Sequence, residues 1–217
     1  MDFLPKIVYQ DDDLLLARKP HGLASSWGQE LCFLDSIKKN NSDGDIRSHQ
    51  ISVFGEEGEY GLLNRLDTVT AGLLYFARSY EVKAEYMHLQ SQNQIQKTYY
   101  AQVYGTPRAQ FGWIDSPIFH HRDDSTRMTL EQSQGRGVGQ ESHSYREMVE
   151  GTPRGEFARL KVVIQSGTRH QIRVHLASIG HPIVGDRLYM TQGLRKRYEI
   201  SELSSKIELV SAGVYFC

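Results

Sequence analysis

Short runs in which apolar and polar positions alternate dominate this chain, and they predict a protein richer in strands than in helices. Ile7-Val8-Tyr9 and Leu14-Leu15-Leu16-Ala17 read as strands, with the run Asp11-Asp12-Asp13 turning between them. Pro20-His21-Gly22 breaks the chain. Lys97 to Tyr104 alternates so that Tyr99, Ala101 and Val103 share a face. Arg127 to Glu131, Ser142 to Glu150, Glu156 to Ile164 and Lys206 to Tyr215 predict further strands. Asp115-Ser116-Pro117 is a turn, and the glycine-rich stretch Gln134 to Gln140 predicts a hairpin tip. Helical spacing of Val82, Tyr86 and Leu89 predicts a helix over Glu81 to Leu89. A second helix is expected over Thr168 to Ile179, preceded by Gly167 and closed by Gly180 and Pro182. A short helix over Leu34 to Lys39 leads into the polar loop Asn40 to Asp45, expected to be mobile. Strands that mostly follow one another give an α+β class with a mixed, mostly antiparallel central sheet and flanking helices and loops.

With 217 residues, 39% of them hydrophobic and 24% charged, the chain suits a single soluble domain over 1–217 that folds without a staple. Cys32 and Cys217 lie too far apart in sequence to suggest a disulfide framework or a zinc pattern, so a reducing, cytoplasmic setting is expected. Met1 to Pro5 has no apolar signal-peptide region, and no apolar run is long enough to span a bilayer. The net charge of −1 lacks the basic excess usual in a nucleic-acid binder. The charges are uneven, however. Acids gather at Asp11-Asp12-Asp13 and at Glu56, Glu57 and Glu59, bases at Arg169, Arg173, Arg187 and Arg195-Lys196-Arg197. Such a dipolar molecule is able to bind phosphate on one face, although charge alone favours plain solvation.

Two stretches carry candidate chemistry. Arg65 and Asp67 lie between the apolar runs Gly61-Leu62-Leu63 and Thr70 to Phe76. Charges at the edge of a core need partners, so a structural ion pair and a functional site stand level here. The second stretch, Gly167 to Tyr189, places Arg169 and Arg173 at i,i+4, with Ile172, Leu176 and Ile179 as a packing stripe. Its Gln171, His175 and His181 exceed what a plain amphipathic helix needs. His170 and His175 are five apart, and His175 and His181 six, so neither pair has helical zinc spacing, and no metal site is expected. His120-His121 point to opposite faces of an extended segment. A GxSxG elbow, a Walker loop and a dinucleotide fingerprint are all missing.

Asn64-Arg65-Leu66-Asp67-Thr68-Val69-Thr70-Ala71-Gly72-Leu73-Leu74 resembles the HRLDxxTSGLLL signature of the RluA family of RNA pseudouridine synthases. Gly167-Thr168-Arg169-His170-Gln171-Ile172-Arg173-Val174-His175-Leu176-Ala177 is similar to the family's GRTHQIRVHLA block, and Gly180 to Asp186 continues it. Arg18-Lys19-Pro20-His21-Gly22-Leu23 and Lys97-x-Tyr99-x-Ala101-x-Val103-x-Gly105 agree more weakly. These blocks occur in family order and span Arg18 to Tyr189. Asn64 stands where histidine is usual and Ala71 where serine is; Thr68 and Val69 replace a common charged pair, and Thr168-Arg169 replaces arginine-threonine. The first block begins by Arg18, which leaves no room for the S4 RNA-binding domain of some relatives; a stand-alone catalytic domain is expected.

The resemblance implies isomerisation of specific uridines to pseudouridine in structured ribosomal or transfer RNA. No atoms are gained or lost, so no redox or nucleotide cofactor is implied, and a monomer is expected. Asp67 is the implied carboxylate at C1′, shielded in a pocket and held ionised by Arg173, with Tyr99 stacking on the uracil. The target base must be flipped out, and Arg65 is the candidate to fill the gap. The wider set of implied RNA contacts is Asn64, Lys97, Arg169, His170, Gln171, His175 and Arg187. Two other readings compete: a non-catalytic RNA-binding paralogue, suggested by Asn64 and Ala71, and a base-excising N-glycosidase that would release free uracil.

Overall fold

The computed structural model describes residues 6–25, 61–202, 204 and 206–216. The expected helix over Leu34 to Lys39 and the loop Asn40 to Asp45 lie outside the described residues. The chain divides into two compact units, residues 1–94 with 216 and residues 95–215 with 217.

In the first unit, β1 (Lys6–Gln10) and β2 (Leu14–Lys19) form the expected antiparallel hairpin. The aspartate turn is closed by the Asp11 carboxylate, which accepts the N–H groups of Asp13 and Leu14 at 2.9 and 2.7 Å. β3 (Ala71–Ala77) pairs antiparallel with β2 and buries Leu74, Tyr75, Phe76 and Ala77. Helix α1 (Tyr80–Ser91) starts where the Ser79 side chain accepts the Val82 N–H at 3.2 Å, with Glu81 in its first turn. Of its expected apolar stripe only Tyr86 is buried.

The second unit is built on β4 (Ile95–Tyr104), which pairs in unbroken register with β10 (Phe157–Ile164), from Tyr104↔Phe157 to Lys97↔Ile164. Strict alternation makes one face of this pair apolar, so Ala101, Val103, Leu160 and Val162 are almost wholly buried. β9 (His143–Gly151) and the edge strand β5 (Phe111–Asp115) extend the sheet on the far side of β10, and β11 (Leu209–Phe216) flanks β4. Helix α2 (Gln171–Ser178) packs against β9. The segment Pro182 to Val184 lies along the end of β4: Tyr104 donates to the Pro182 carbonyl (3.0 Å) and Val184 to that of Gln102 (2.9 Å). A small sheet orders β7 (Met128–Thr129), β6 (Ile118–His121) and β8 (Gly135–Gln140), and Ile118, Met128, Val174 and Tyr189 form a core between it and α2. The short α3 (Gln192–Arg197) presents the exposed Arg195-Lys196-Arg197 run. No helix among the described residues is long and apolar enough to cross a membrane.

Three expectations change. The stretch expected as a hairpin tip over 134–140 is instead strand β8 from Gly135 to Gln140. Two of its glycines are there for space, because a Cβ at Gly135 would meet the Phe119 Cβ at 2.7 Å and one at Gly139 the Phe119 ring at 2.5 Å, whereas Gly137 has open space and a φ of +74°. The strand expected over Arg127 to Glu131 shrinks to Met128–Thr129. Helix α2 begins three residues later than expected, at Gln171. His170 is left-handed (φ 57°), and Gln171 closes a turn on Thr168, its N–H donating to the Thr168 carbonyl (3.0 Å) and its Oε1 accepting the Thr168 N–H (3.2 Å). Arg169 is therefore not on the helix, and the expected shared face with Arg173 does not exist. The C-terminal end is as expected: His181 N–H bonds Leu176 O and Gly180 N–H bonds Ala177 O, both at 3.0 Å, a Schellman closure.

Candidate active site

In the first unit two sequence blocks meet. The loop carrying Asp67 is tied down residue by residue by Lys19 to Ser25. Lys19 is fully buried, and its ammonium donates to the carbonyls of Leu23 (2.7 Å), Pro20 (3.1 Å) and Thr68 (3.2 Å). Gly22 N–H also donates to Thr68 O, at 2.8 Å. His21 Nδ1 lies 2.8 Å from the Val69 carbonyl, which only accepts, so this nitrogen carries the proton. The Ser25 hydroxyl donates to Leu66 O (2.8 Å) and accepts Leu66 N–H (3.0 Å). Thr70 N–H closes the loop on Asp67 O at 2.9 Å. Asp67 itself is half-buried and Arg65 is exposed. Burial pushes the Lys19 ammonium down to about 8, opposed by the negative charge of Asp67. The lysine thus serves as a buried cation beside the carboxylate's loop.

In the second unit Arg173 is the centre. It sits in the middle of α2, buried, and grips Asp186 as a two-pronged fork, Nε to Oδ2 at 2.7 Å and Nη2 to Oδ1 at 2.9 Å. Asp186 is held ready by its own surroundings: its Oδ1 also accepts the N–H groups of Leu188 (3.1 Å) and Tyr189 (3.4 Å). Gly185, just before it, has φ +79°, and a Cβ there would lie 1.8 Å from the Lys206 carbonyl, so only glycine lets the chain pass. Tyr99 is buried on the apolar face of β4, and Lys97 shares that face.

The expected RNA contacts divide by burial. Arg65, Arg169 and Arg187 are exposed, and Arg169 donates to the carbonyls of Ser125 (3.0 Å) and Thr126 (3.4 Å). His170 is half-buried, with Nδ1 2.8 Å from the Tyr189 hydroxyl. Asn64, Gln171 and His175 are buried and bond within the protein. Asn64 donates to Leu73 O (3.2 Å) and accepts Tyr75 N–H (2.8 Å). Gln171 accepts from Ser166 and Thr168 and donates to His143 O and the Ser144 hydroxyl. His175 is wholly buried between the Ser144 hydroxyl (2.9 Å) and the Ser116 carbonyl (3.2 Å), and burial lowers its pKa. Lys97 is likewise buried, and burial brings its ammonium down to about 8. The sequence blocks contained Lys19, Asp186 and Tyr189 without assigning them roles; their partners are backbone atoms and residues distant along the chain.

The fold is that of the pseudouridine synthases. Human RNA Pseudouridylate Synthase Domain Containing 1 superposes with a TM-score of 0.73 over 95% of this chain and 76% of its own, at 21% identity. Human RNA Pseudouridylate Synthase Domain Containing 4 gives 0.69 over 96% and 82%, at 22% identity. The profile of the RNA pseudouridylate synthase family matches residues 13–178, and the chain belongs to that family. An uncharacterized RNA pseudouridine synthase of Aquifex aeolicus (strain VF5) is 30% identical over 190 residues, 84% of this chain and 55% of that protein. The ribosomal large subunit pseudouridine synthase D of Nitrosomonas europaea is 31% identical over 187 residues, 85% of this chain and 49% of that protein. The chain thus spans about half the length of these curated relatives.

Proposed function

We propose that this chain isomerises uridine to pseudouridine in structured RNA, with Asp67 as the carboxylate acting at C1′ of a flipped-out nucleotide. The observation that carries the proposal is the family match over residues 13–178, which takes in the blocks around Asp67, Tyr99 and Arg173. The C1′–N1 bond breaks, the uracil turns, C5 bonds to C1′, the C5 proton leaves and N1 gains a proton. Asp67 either adds to C1′ as a nucleophile or removes the C2′ proton on a glycal route; both need the ionised carboxylate. Tyr99 stacks on the uracil, and Arg173 supplies positive charge to the reacting centre. Arg65 fills the gap left by the extruded base, and Arg169 and Arg187 contact phosphates. Asn64, Lys97, Gln171 and His175 support the site from inside the protein. Residues 1–217 act as one catalytic domain, as a monomer in the cytoplasm.

Because several relatives are named for the ribosomal large subunit, large-subunit ribosomal RNA is the first substrate to try, with transfer RNA next. Tritium release from RNA labelled with 5-³H-uridine measures the loss of the C5 hydrogen. The wild type releases tritium and leaves pseudouridine, whereas Asp67→Ala releases none. Full activity in Asp67→Ala would remove Asp67 from the mechanism. RNA binding without any release would make the chain a binding paralogue, and abasic sites would make it an N-glycosidase.

A further inference from the structure

Arg173 is gripped from more than one side. The Asp186 fork holds one edge of its guanidinium, but a pair of parallel hydrogen bonds leaves the plane able to rock about them. The face of the Tyr189 ring lies against it, with the guanidinium carbon 5.3 Å from the ring centroid. That ring is itself fixed at both ends. Its backbone N–H donates to Asp186 Oδ1 (3.4 Å), the carboxylate that holds the arginine. Its hydroxyl accepts the Met128 N–H (3.0 Å) and shares a 2.8 Å hydrogen bond with His170 Nδ1. The His170 ring also meets it edge-on, at 5.7 Å and 85°. His170 is the left-handed residue that starts α2, the helix carrying Arg173. Histidine, tyrosine, aspartate and arginine thus form a closed circuit that begins and ends on one helix. Such a circuit restrains the guanidinium both within its plane and across its face. A non-glycine residue at positive φ that is tied into the circuit by its side chain fits backbone strain retained for positioning.

We propose that Tyr189, pinned through His170, is a positioning residue that sets the orientation of Arg173 for catalysis. The proposal rests on the reading of Arg173 as a catalytic group. A purely structural tyrosine would also fill the core beside Ile118, Met128 and Val174, so the test must separate ring face from bulk. Tyr189→Leu keeps apolar bulk and removes the aromatic face. We expect kcat for tritium release to fall about tenfold to hundredfold, with KM for RNA within about threefold of wild type. Tyr189→Phe keeps the face but gives up the hydroxyl's bonds to His170 and Met128, so it restores kcat only to about the level expected of His170→Ala. His170→Ala leaves the ring in place and its hydroxyl on the Met128 N–H but removes the histidine's hold on it, and lowers kcat by about three- to tenfold.

A wild-type kcat in folded Tyr189→Leu, or equal losses in the Leu and Phe variants, would overturn the proposal. Should Tyr189→Leu fail to fold by circular dichroism, His170→Ala decides: an unchanged kcat there overturns it. Arg173→Lys is measured alongside. Wild-type activity in Arg173→Lys would overturn the catalytic reading of Arg173 and this proposal with it. Loss of activity in Arg173→Lys with an unaffected Tyr189→Leu would overturn this proposal alone.

Discussion

Replacing Lys19 with methionine separates the stability of the Asp67 loop from its alignment. Methionine keeps most of the buried volume and removes the charge. Lys19→Met orphans the Pro20 and Leu23 carbonyls, while Thr68 O keeps its bond from Gly22 N–H. A fully buried unsatisfied acceptor costs about 1–3 kcal/mol, and these two belong to half-buried residues, so the gross loss is at most about 6 kcal/mol. Against this, the variant no longer buries an ammonium. Burial takes that group from 10.5 to about 8, and the relief is about 3 kcal/mol at roughly 1.4 kcal/mol per unit. The two nearly cancel, leaving a net destabilisation of at most about 3 kcal/mol. The variant therefore folds. Activity does not enjoy the same cancellation, because one lost bond runs to Thr68, the residue following Asp67, and the other two hold the Pro20–Leu23 turn whose Gly22 supplies the bond Thr68 keeps. Displacement of about 1 Å at a reacting group costs about a hundredfold in rate. Urea unfolding and tritium release on the same preparation test both halves. A net loss above about 4 kcal/mol, or wild-type kcat in the folded variant, would refute the reasoning.

Asp186→Ala leaves a buried guanidinium without its fork and should destabilise by about 3–5 kcal/mol in urea, while the double variant Arg173→Met/Asp186→Leu regains most of that but stays inactive. Gly185→Ala must push a Cβ into the Lys206 carbonyl at positive φ, so it should lose more than about 2 kcal/mol or yield insoluble protein. Lys97 has a folded pKa of about 8 against an ordinary 10.5, so between those values the unfolded chain holds more protons and stability rises with pH. The gain reaches about 3 kcal/mol by pH 10.5, and comparing Lys97→Met with wild type in urea at pH 7 and 10 isolates it. His175 is lowered by burial, so lowering the pH through about 6.5 protonates the unfolded chain first and erodes stability; His175→Asn should flatten that limb of the profile.

What the sequence made legible follows from what kind of signal each element leaves. β4 and β10 were plain because their alternation is strict and their pairing is unbroken. β8 was misread because two of the glycines that usually mark a turn, Gly135 and Gly139, are there to admit the Phe119 side chain, a contact set by tertiary packing. The start of α2 was missed for a similar reason. Nothing in Thr168-Arg169-His170 announces a left-handed residue; the turn is imposed by the Gln171 side chain reaching back. Asp67 and Arg173 stood out through the family blocks around them. The holding groups did not, since Lys19 bonds to backbone carbonyls and Asp186 to an arginine thirteen residues back.

One strand acts as a ruler for two parts of this chemistry. β4 carries Tyr99 on its inner face and Tyr100 on its outer face, 40% exposed, and its end sets the line along which residues 182–184 run toward Asp186. Sliding that strand by a single position would turn Tyr99 out into water and drag the arginine's anchor out of step in the same movement. Changes far from either residue that loosen this pairing should therefore damage both together, and repair at one will not rescue the other.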